Sequence, residues 1–524
     1  MQIIIRFSGL HACHARAPPF VRPRRHTGAS EVSRRRPPLI MLLQQLLLSL
    51  LLSGAHDVFA AAAAAPPSRV TGCRADGNAA ELARPWLAAV EAGAWSATRR
   101  GAPVKTDDGA AASGAGRWAG AVWPQPVDAS PPPSATAAAV VLGAGFVFGA
   151  QPDSMDQAGV LQRAMARFGP RVFQWGAPSG AGATDQGSAA VLRSATVVVA
   201  QPDVVLGPDI DESYSITVNC SSSLAPAASV HAETVWGAIW ALETFVQLPQ
   251  VSDARNTTAY WLPCTAVTDR PRFRARAAMV DCSRNWVSIP ALMQFVDVMS
   301  ANKQNMLHLH INDMTSWPLE IKAYPLLAER GALSASVPGL GARRTTWLQS
   351  DVRRLVRYAT DRGVRLVPEL DFPTHSDGPL QASYPQFLTA WTDAQNRSWR
   401  SNFDATSEEA WNFYEAVWTE VADLFPDAEV HIGGDEVDLE PWNRSQAVAA
   451  WARKYATACP DDPTLRCDSV AALVKYFARR AVATVARLGK RAIAWYGFES
   501  AIVDAYGASP GDYGRAPTQL TLDD

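Results

Sequence analysis

The sequence predicts an α/β protein, a (β/α)8 barrel in its second half preceded by a small α+β domain. Three observations predict it. From about Arg270, short apolar runs alternate with amphipathic helical stretches, the rhythm of parallel strands joined by crossover helices. Ionisable residues follow the ends of those runs, where a barrel of this kind places its chemistry. Upstream, strand-like segments stand beside a strongly apolar helical one that ends near Pro249.

The elements are taken in chain order. Leu39 to Ser53 reads LIMLLQQLLLSLLLS, with Arg34-Arg35-Arg36 before it and small residues around Ala60 after it. That charged–apolar–small order is a signal peptide's, and the run is short for a membrane span, so no stable span is expected. The Arg/Pro-rich lead before Met41 leaves two starts open, Met1 and Met41, and a signal-anchor is the alternative to a cleaved leader. Residues 1–65 are therefore a targeting region and 66–118 an Ala/Gly-rich linker or insert. Residues 119–267 form the α+β domain. Ala195–Ala200 and Ser215–Val218 read as strands, and Glu233–Leu248 as a helix with Trp236, Ile239, Trp240 and Leu242 on one side.

Residues 268–524 form the barrel. Its strand candidates are Ala278–Asp281, Met306–Ile311, Val364–Leu370, Glu429–Ile432, Arg491–Tyr496 and Gln519–Leu522. Leu292, Phe295, Val296 and Met299 form one helical stripe. Val352, Leu355, Val356 and Ala359 form a second, capped by Ser350 and ended at Gly363. Val470, Leu473, Val474 and Phe477 form a third, ended at Gly489. Six strands are countable and the last is cut by the C-terminus, so the expectation is a barrel truncated after about six strands: either strands are missed or the chain is a fragment.

Composition excludes some classes. With 48% apolar and 19% charged residues and a net charge of −2, nothing marks a nucleic-acid binder. None of the seven cysteines forms a CxxC pair, so zinc and thioredoxin-type sites lack support. Cys459 and Cys467 flank a short Pro/Asp-rich loop and are placed to close a disulfide in an oxidising compartment. Four Asn-x-Ser/Thr sites follow the leader, at Asn219, Asn256, Asn396 and Asn443, which fits a glycosylated, lumenal chain.

The strand ends carry a carboxylate-rich set: Asp281, Ser283 and Arg284 after the first strand, His310 and Asp313 after the second, Glu369, Asp371 and His375 after the third, Gly433 to Glu436 after the fourth, and Trp495 on the fifth. No metal motif such as HExxH occurs, and the set favours acid/base over metal chemistry. Asp435-Glu436 is its sharpest feature. Neighbours on a regular strand point to opposite faces, but two glycines before them allow a distortion that aims both into one pocket. Paired carboxylates are what glycoside hydrolysis uses. The dipeptide alone is more often a solvated pair. Asp281 with Arg284 reads equally well as a structural ion pair, and Trp495 alone as core.

The longer words decide. His431-Ile432-Gly433-Gly434-Asp435-Glu436-Val437 resembles the signature of glycoside hydrolase family 20, the β-N-acetylhexosaminidases. In the family's order, Arg276 to Arg284 resembles its first barrel strand, Asn305 to Pro318 its second and Glu369 to His375 its third. Trp123-Pro124 and the Glu233–Leu248 helix resemble its non-catalytic N-terminal domain. The resemblance covers roughly residues 119 to 524 and is closest to the eukaryotic lysosomal or secreted branch.

That resemblance implies release of terminal β-linked N-acetylhexosamine from a glycan, glycolipid or chitin oligosaccharide, without cofactor or metal. The substrate's 2-acetamido oxygen attacks the anomeric carbon, the family's departure from the two-carboxylate scheme. Asp435 orients the acetamido group. Glu436 is the general acid and then the base, its pKa raised by burial beside Asp435. Arg276 binds sugar hydroxyls; His310, Asp313 and His375 orient and tune the acid, and Trp495 walls the acetamido pocket. Asp281, Arg284, Glu369 and Asp371 support them. The secretory pathway, ending in lysosome, vacuole or exterior, is the expected location, and a homodimer the expected assembly. Ala277 and Thr374 stand where the family usually has Gly, acceptable unless φ is positive there. The family's last strands carry further Trp, a Tyr and a Trp-x-Glu segment, and the chain ends before them. Two other readings stay open: a truncated, non-catalytic glycan-binding homologue, and a barrel glycosidase with Asp435 or Glu436 as direct nucleophile.

Overall fold

The computed structural model describes residues 122–130, 139–174, 176, 178, 191–220, 226–254, 257–337 and 341–495. The leader, the 66–118 stretch, Asn256, Tyr496 and the strand candidate Gln519–Leu522 lie outside them.

The first layer is a mixed sheet of eight strands: β1 (Asp128–Ser130), β2 (Ala139–Ala150), β3 (Val191–Gln201), β4 (Tyr214–Asn219), β5 (Ala227–Thr234), β6 (Gln250–Ala254), β7 (Thr257–Pro263) and β8 (Thr265–Asp269), in the order β1-β8-β4-β5-β3-β2-β7-β6. β3 runs parallel to β2 and β5; the other pairings are antiparallel. In β4 and β5, inward residues such as Ile216, Val218 and Val230 alternate with more exposed ones, the period of a sheet covered on one face.

The helix Val235–Phe245 packs on that sheet, with Thr234 as its N-cap accepting from the Gly237 N–H. It is shorter than the sequence suggests, because Glu233 and Thr234 end β5. All its residues are buried, not one stripe alone, since the sheet lies on one side and the barrel on the other. Trp240 shows this: its ring lies 3.0 Å from where a Cβ on Gly363 would stand, and its Nε1 donates to Glu212 at 2.8 Å.

The second layer is a parallel sheet. Its strands are β9 (Ala277–Asp281), β10 (Met306–His310), β13 (Arg365–Glu369), β16 (Glu429–His431) and β17 (Arg491–Ile493), neighbours in chain order. Two hairpins lie outside it, β11 (Ser334–Val337) with β12 (Gly341–Arg344) and β14 (Leu388–Thr392) with β15 (Ser398–Phe403). Helices Ile289–Ala301, Gln349–Thr360, Glu408–Leu424 and Val470–Arg487 fall between the sheet strands. Together with the structural likeness given below, this parallel α/β arrangement is that of a TIM-barrel catalytic domain.

The helical stripes hold. Leu292, Val296 and Met299 are buried, as are Val352, Leu355 and Ala359, and Leu473 and Phe477. The cap at Ser350 does not hold: the helix starts one residue earlier, at Gln349, with Leu348 at the N-cap and no side-chain cap bond. Neither Ala277 nor Thr374 has positive φ, so a Cβ is harmless at both. Cys459 and Cys467 are bonded, and so are Cys220 and Cys264, a pair that spacing alone does not reveal. Among the described residues no helix is long and apolar enough to cross a membrane.

The two ends of the parallel sheet differ. At the N-terminal end Arg365 is buried in a bidentate pair with Asp427, at 2.7 Å twice, and reaches Glu429 at 2.6 Å; Arg491 also pairs with Glu429. This largely buried ionic cluster lies at the end of the sheet away from the candidate site. The C-terminal end carries the open cluster described next.

Candidate active site

Parallel register places one row of residues level across the C-terminal end of the sheet. Asp281 pairs with His310, His310 with Glu369, Glu369 with His431, and His431 with Ile493. In-register neighbours on parallel strands point the same way, so these polar side chains share one face.

Glu369 is fully buried at the centre of the row. His310 Nδ1 lies 2.7 Å from its Oε2, and the Trp495 indole N–H donates to Oε1 at 2.6 Å. His308 Nε2 approaches at 2.8 Å without the alignment of a hydrogen bond, and His431 Nδ1 stands at 3.3 Å. Burial works against charge on Glu369, but His431, His310 and His308 outweigh it and hold the carboxyl well below the usual range. On its other nitrogen His310 meets Asp313 at 3.0 Å. Burial opposes charge on His310, yet Glu369 and Asp313 raise it to about 11. Arg284 ends this chain: its guanidinium binds Asp281 at 2.7 Å and Asp313 at 2.5 Å, and its side chain is 42% exposed.

A second chain leads to the predicted catalytic pair. Asn312 grips the Asp371 backbone on both sides, at 3.0 and 3.1 Å. Asp371 Oδ2 meets His375 Nδ1 at 2.7 Å. The same nitrogen is 3.5 Å from Asp435 Oδ1, and His375 Nε2 is 3.4 Å from Glu436 Oε2. His375 is thus the hub between three carboxylates. Burial opposes its charge, but Asp371 and Asp435 raise it to about 11. Burial pushes Asp371 up. For Asp435 burial is outweighed by His375, and the carboxyl stays below its usual value. Asp435 is therefore held in its ionised form.

The backbone turn that presents the pair is the glycine distortion expected. Gly433 has φ +70°, Gly434 +103° and Glu436 +50°. A Cβ on Gly433 would stand 2.0 Å from Asp371 Oδ1, so only glycine allows this approach. The Gly434 N–H then donates to that oxygen at 3.0 Å.

Two expectations need correction. Arg276 is not at the site. It precedes β9 while the site follows the strand's far end, roughly 15 Å away by strand rise. Its guanidinium is bidentate to buried Glu212 at 2.8 Å twice, which ties the two layers together. The guanidinium at the site is that of Arg284, in the same nine-residue word. Glu436 is not buried beside Asp435: its side chain is 67% exposed, because its positive φ turns it to solvent. The other candidates, Asp281, Arg284, His310, Asp313, Glu369, Asp371, His375, Asp435 and Trp495, are brought together. Trp495 sits with its ring 4.7 Å from His431 and its backbone N–H donating to the Gly433 carbonyl. Sequence reasoning gave no role to Asn312 or His431, and it noted that His308 shares a strand face with His310 but set a metal role aside.

Among the described residues three groups offer enough ligand atoms for a metal ion: His308 with Glu369 and His431, His310 with Glu369 and Asp371, and Asp313 with Asp371 and His375. Several of those atoms already pair within the network, as both nitrogens of His310 and Nδ1 of His375 do, so the donor set suits proton holding.

Two family descriptions match the chain, "Glycosyl hydrolase family 20, catalytic domain" over residues 273–506 and "beta-acetyl hexosaminidase like" over 122–248. A β-hexosaminidase of Emericella nidulans is 33% identical over 264 residues, 48% of this chain and 41% of that protein. The human β-hexosaminidase subunit β is 29% identical, covering 54% and 47%. The chain spans about half the length of the curated relatives it matches. In fold it resembles a Flavobacterium johnsoniae chitobiase, with TM-score 0.55, 23% identity, and 71% of this chain and 52% of that one covered. A Vibrio harveyi exo-β-N-acetylglucosaminidase gives TM-score 0.55 at 21% identity, covering 75% and 57%. The catalytic-domain match contains every residue of the cluster, set on this parallel sheet, and assigns residues 273–506 to glycosyl hydrolase family 20.

Proposed function

We propose that the chain hydrolyses terminal β-linked N-acetylhexosamine from glycans with the substrate's own acetamido group as nucleophile. The observation that carries this reading is the division of labour at Asp435-Glu436: His375 keeps one carboxylate ionised while the other faces solvent. An acetamido oxygen attacking the anomeric carbon develops positive charge, which an ionised Asp435 stabilises. Glu436, open to the leaving side, gives its proton to the departing oxygen and then takes one from water. Arg284, held between Asp281 and Asp313, presents its remaining donors to sugar hydroxyls, the role first given to Arg276. Trp495 forms one wall of the acetamido pocket. The residues 128–269 sheet is read as a non-catalytic N-terminal domain.

The test compares p-nitrophenyl N-acetyl-β-glucosaminide with the plain β-glucoside. The first is turned over and the second is not, and Glu436→Gln lowers the first rate about a thousandfold, within what general acid/base catalysis supplies with electrostatic help. Equal turnover of both sugars points instead to a direct carboxylate nucleophile. A secretory destination, lysosome, vacuole or exterior, is proposed with it. Two disulfides and the exposure of Asn219, Asn396 and Asn443 support an oxidising, glycosylating compartment. A second copy of the chain is the proposed partner, checked by sedimentation.

A further inference from the structure

An open cleft of about 880 Å3 lies beside the catalytic loops, inside the range of roughly 300–1,000 Å3 common to ligand sites. Met314 lines it, one residue past Asp313, as do Asp377 and Gly378, just past His375. The β14–β15 hairpin lines it too, with Trp391 and Trp399 as register partners across the two strands. The Trp391 N–H donates to Ser401 Oγ at 2.8 Å, and the Trp399 N–H to Asp393 Oδ2 at 2.9 Å. Both indoles are thus fixed by their one polar atom, and what they offer a ligand is ring surface. Trp399 is 49% exposed, unusual for so large an apolar group.

The wall of the cleft is tied to the loops that carry the candidate site. Asn402 on β15 donates its backbone N–H to Asp377 Oδ1 at 2.9 Å and its amide to the Asp438 carbonyl at 2.6 Å. The hairpin is therefore bonded to the loop after His375 and to the loop after Glu436. Gly378 meets the backbone of Met314 so closely that a Cβ would lie 1.9 Å from its carbonyl oxygen. Three strand-end loops share one wall.

We propose that this cleft holds the leaving side of the glycan: one or two pyranose rings beyond the released N-acetylhexosamine, laid on Trp391 and Trp399. Sugar rings present C–H faces that suit indole surface and hydroxyls that suit a polar rim, here Asp377 and Arg444. The proposal rests on the hydrolase reading above and deepens it: the chain acts on oligosaccharides in preference to short aglycones.

The experiment pairs kinetics with binding on the whole chain. Turnover is measured with chitotriose and with p-nitrophenyl N-acetyl-β-glucosaminide, and chitotriose is titrated calorimetrically. In Trp399→Ala the ratio of kcat/KM for chitotriose to that for the aryl glycoside falls about tenfold, equal to about 1.4 kcal/mol, and chitotriose binds about tenfold more weakly. Trp399→Phe restores most of both. A parallel loss on the two substrates, or no change on either, overturns the proposal. If the unaltered chain turns over neither substrate, the hydrolase reading falls, and the titration alone decides the cleft: weaker binding in Trp399→Ala upholds it and equal binding overturns it.

Discussion

Gly433→Ala tests whether the turn at the end of β16 exists to bring Asp371 against the catalytic loop. Two costs are separable. The first is conformational: at φ +70° an L side chain costs about 1–2 kcal/mol. The second is steric: the new methyl would stand 2.0 Å from Asp371 Oδ1 and 2.6 Å from its Cα, so Asp371 or the loop must move, at about 1–3 kcal/mol more. The sum is about 2–5 kcal/mol. Gly489→Ala supplies the control, since Gly489 has φ +75° with nothing within 4 Å of an added Cβ, and shows the conformational cost alone. Urea unfolding of both variants isolates the steric share by difference. Activity follows the displacement. Moving Asp371 breaks its bond from the Gly434 N–H and its pairing with His375, the residue that keeps Asp435 ionised. Losing one charge-assisted bond of about 1.5–3 kcal/mol lowers kcat/KM roughly 10- to 100-fold. If Gly433→Ala unfolds no more easily than Gly489→Ala and keeps full activity, the close approach is not what Gly433 is for.

Three further outcomes are expected. Arg276→Ala leaves Glu212, 3% exposed, without its bidentate partner, and costs about 3–5 kcal/mol in urea unfolding with KM unchanged; a raised KM at unaltered stability would return Arg276 to the site. Cys459→Ser opens a loop closed by a bond of sequence separation 8, which lowers stability by about 2.5 kcal/mol in non-reducing denaturation, with activity at 25 °C intact. Asp377 is pushed up to about 6 chiefly by burial. A raised folded value means its contribution is most favourable below about pH 4 and is lost as pH rises through about 6. Asp377→Asn, which keeps an acceptor for the Asn402 N–H, is therefore more stable than the parent at pH 7 by about 1–3 kcal/mol. The difference vanishes near pH 4, and a gain that is flat with pH would refute this sign.

The sequence made the parallel half of the fold legible because there the hydrophobic period changes cleanly, from strand runs such as Val364–Leu370 to stripes such as Leu292–Met299. It also grouped most of the candidate residues that the structure brings together, since in a parallel sheet strand ends are readable as positions in space. What it hid were contacts that depend on which end of a strand a residue occupies and on what lies opposite. Arg276 and Arg284 stand eight positions apart in one word, yet one locks the two layers together and the other faces the pocket. Glu212, Arg276's partner, sits 64 residues upstream in another sheet's loop, and no local signal links them. The same holds for Cys220 with Cys264, and for Asn312, whose amide matters only because the Asp371 backbone lies across from it. Burial of the helix Val235–Phe245 on every side was invisible for the same reason: the second surface comes from the distant, parallel-sheet half of the chain.

The environment assigns roles to the two adjacent carboxylates that their covalent chemistry does not. Asp435 and Glu436 share a dipeptide, but positive φ at Glu436 turns one side chain out, while His375 holds the other in. His375 can do so because Asp371 pins its Nδ1, and Asp371 is pinned in turn by Asn312 and the Gly434 N–H. Removing charge at Asp435 or at His375 thus disturbs one device from two sides. Asp435→Asn keeps the shape and removes the negative charge that, in the proposed reaction, meets the developing cation. His375→Gln keeps polar contacts but removes the cation that holds Asp435 ionised. If the device works as a unit, the double variant loses little more than the worse single one, as groups that act together do. Independent losses that multiply would mean that His375 serves Glu436 rather than Asp435, through its 3.4 Å contact to that side chain.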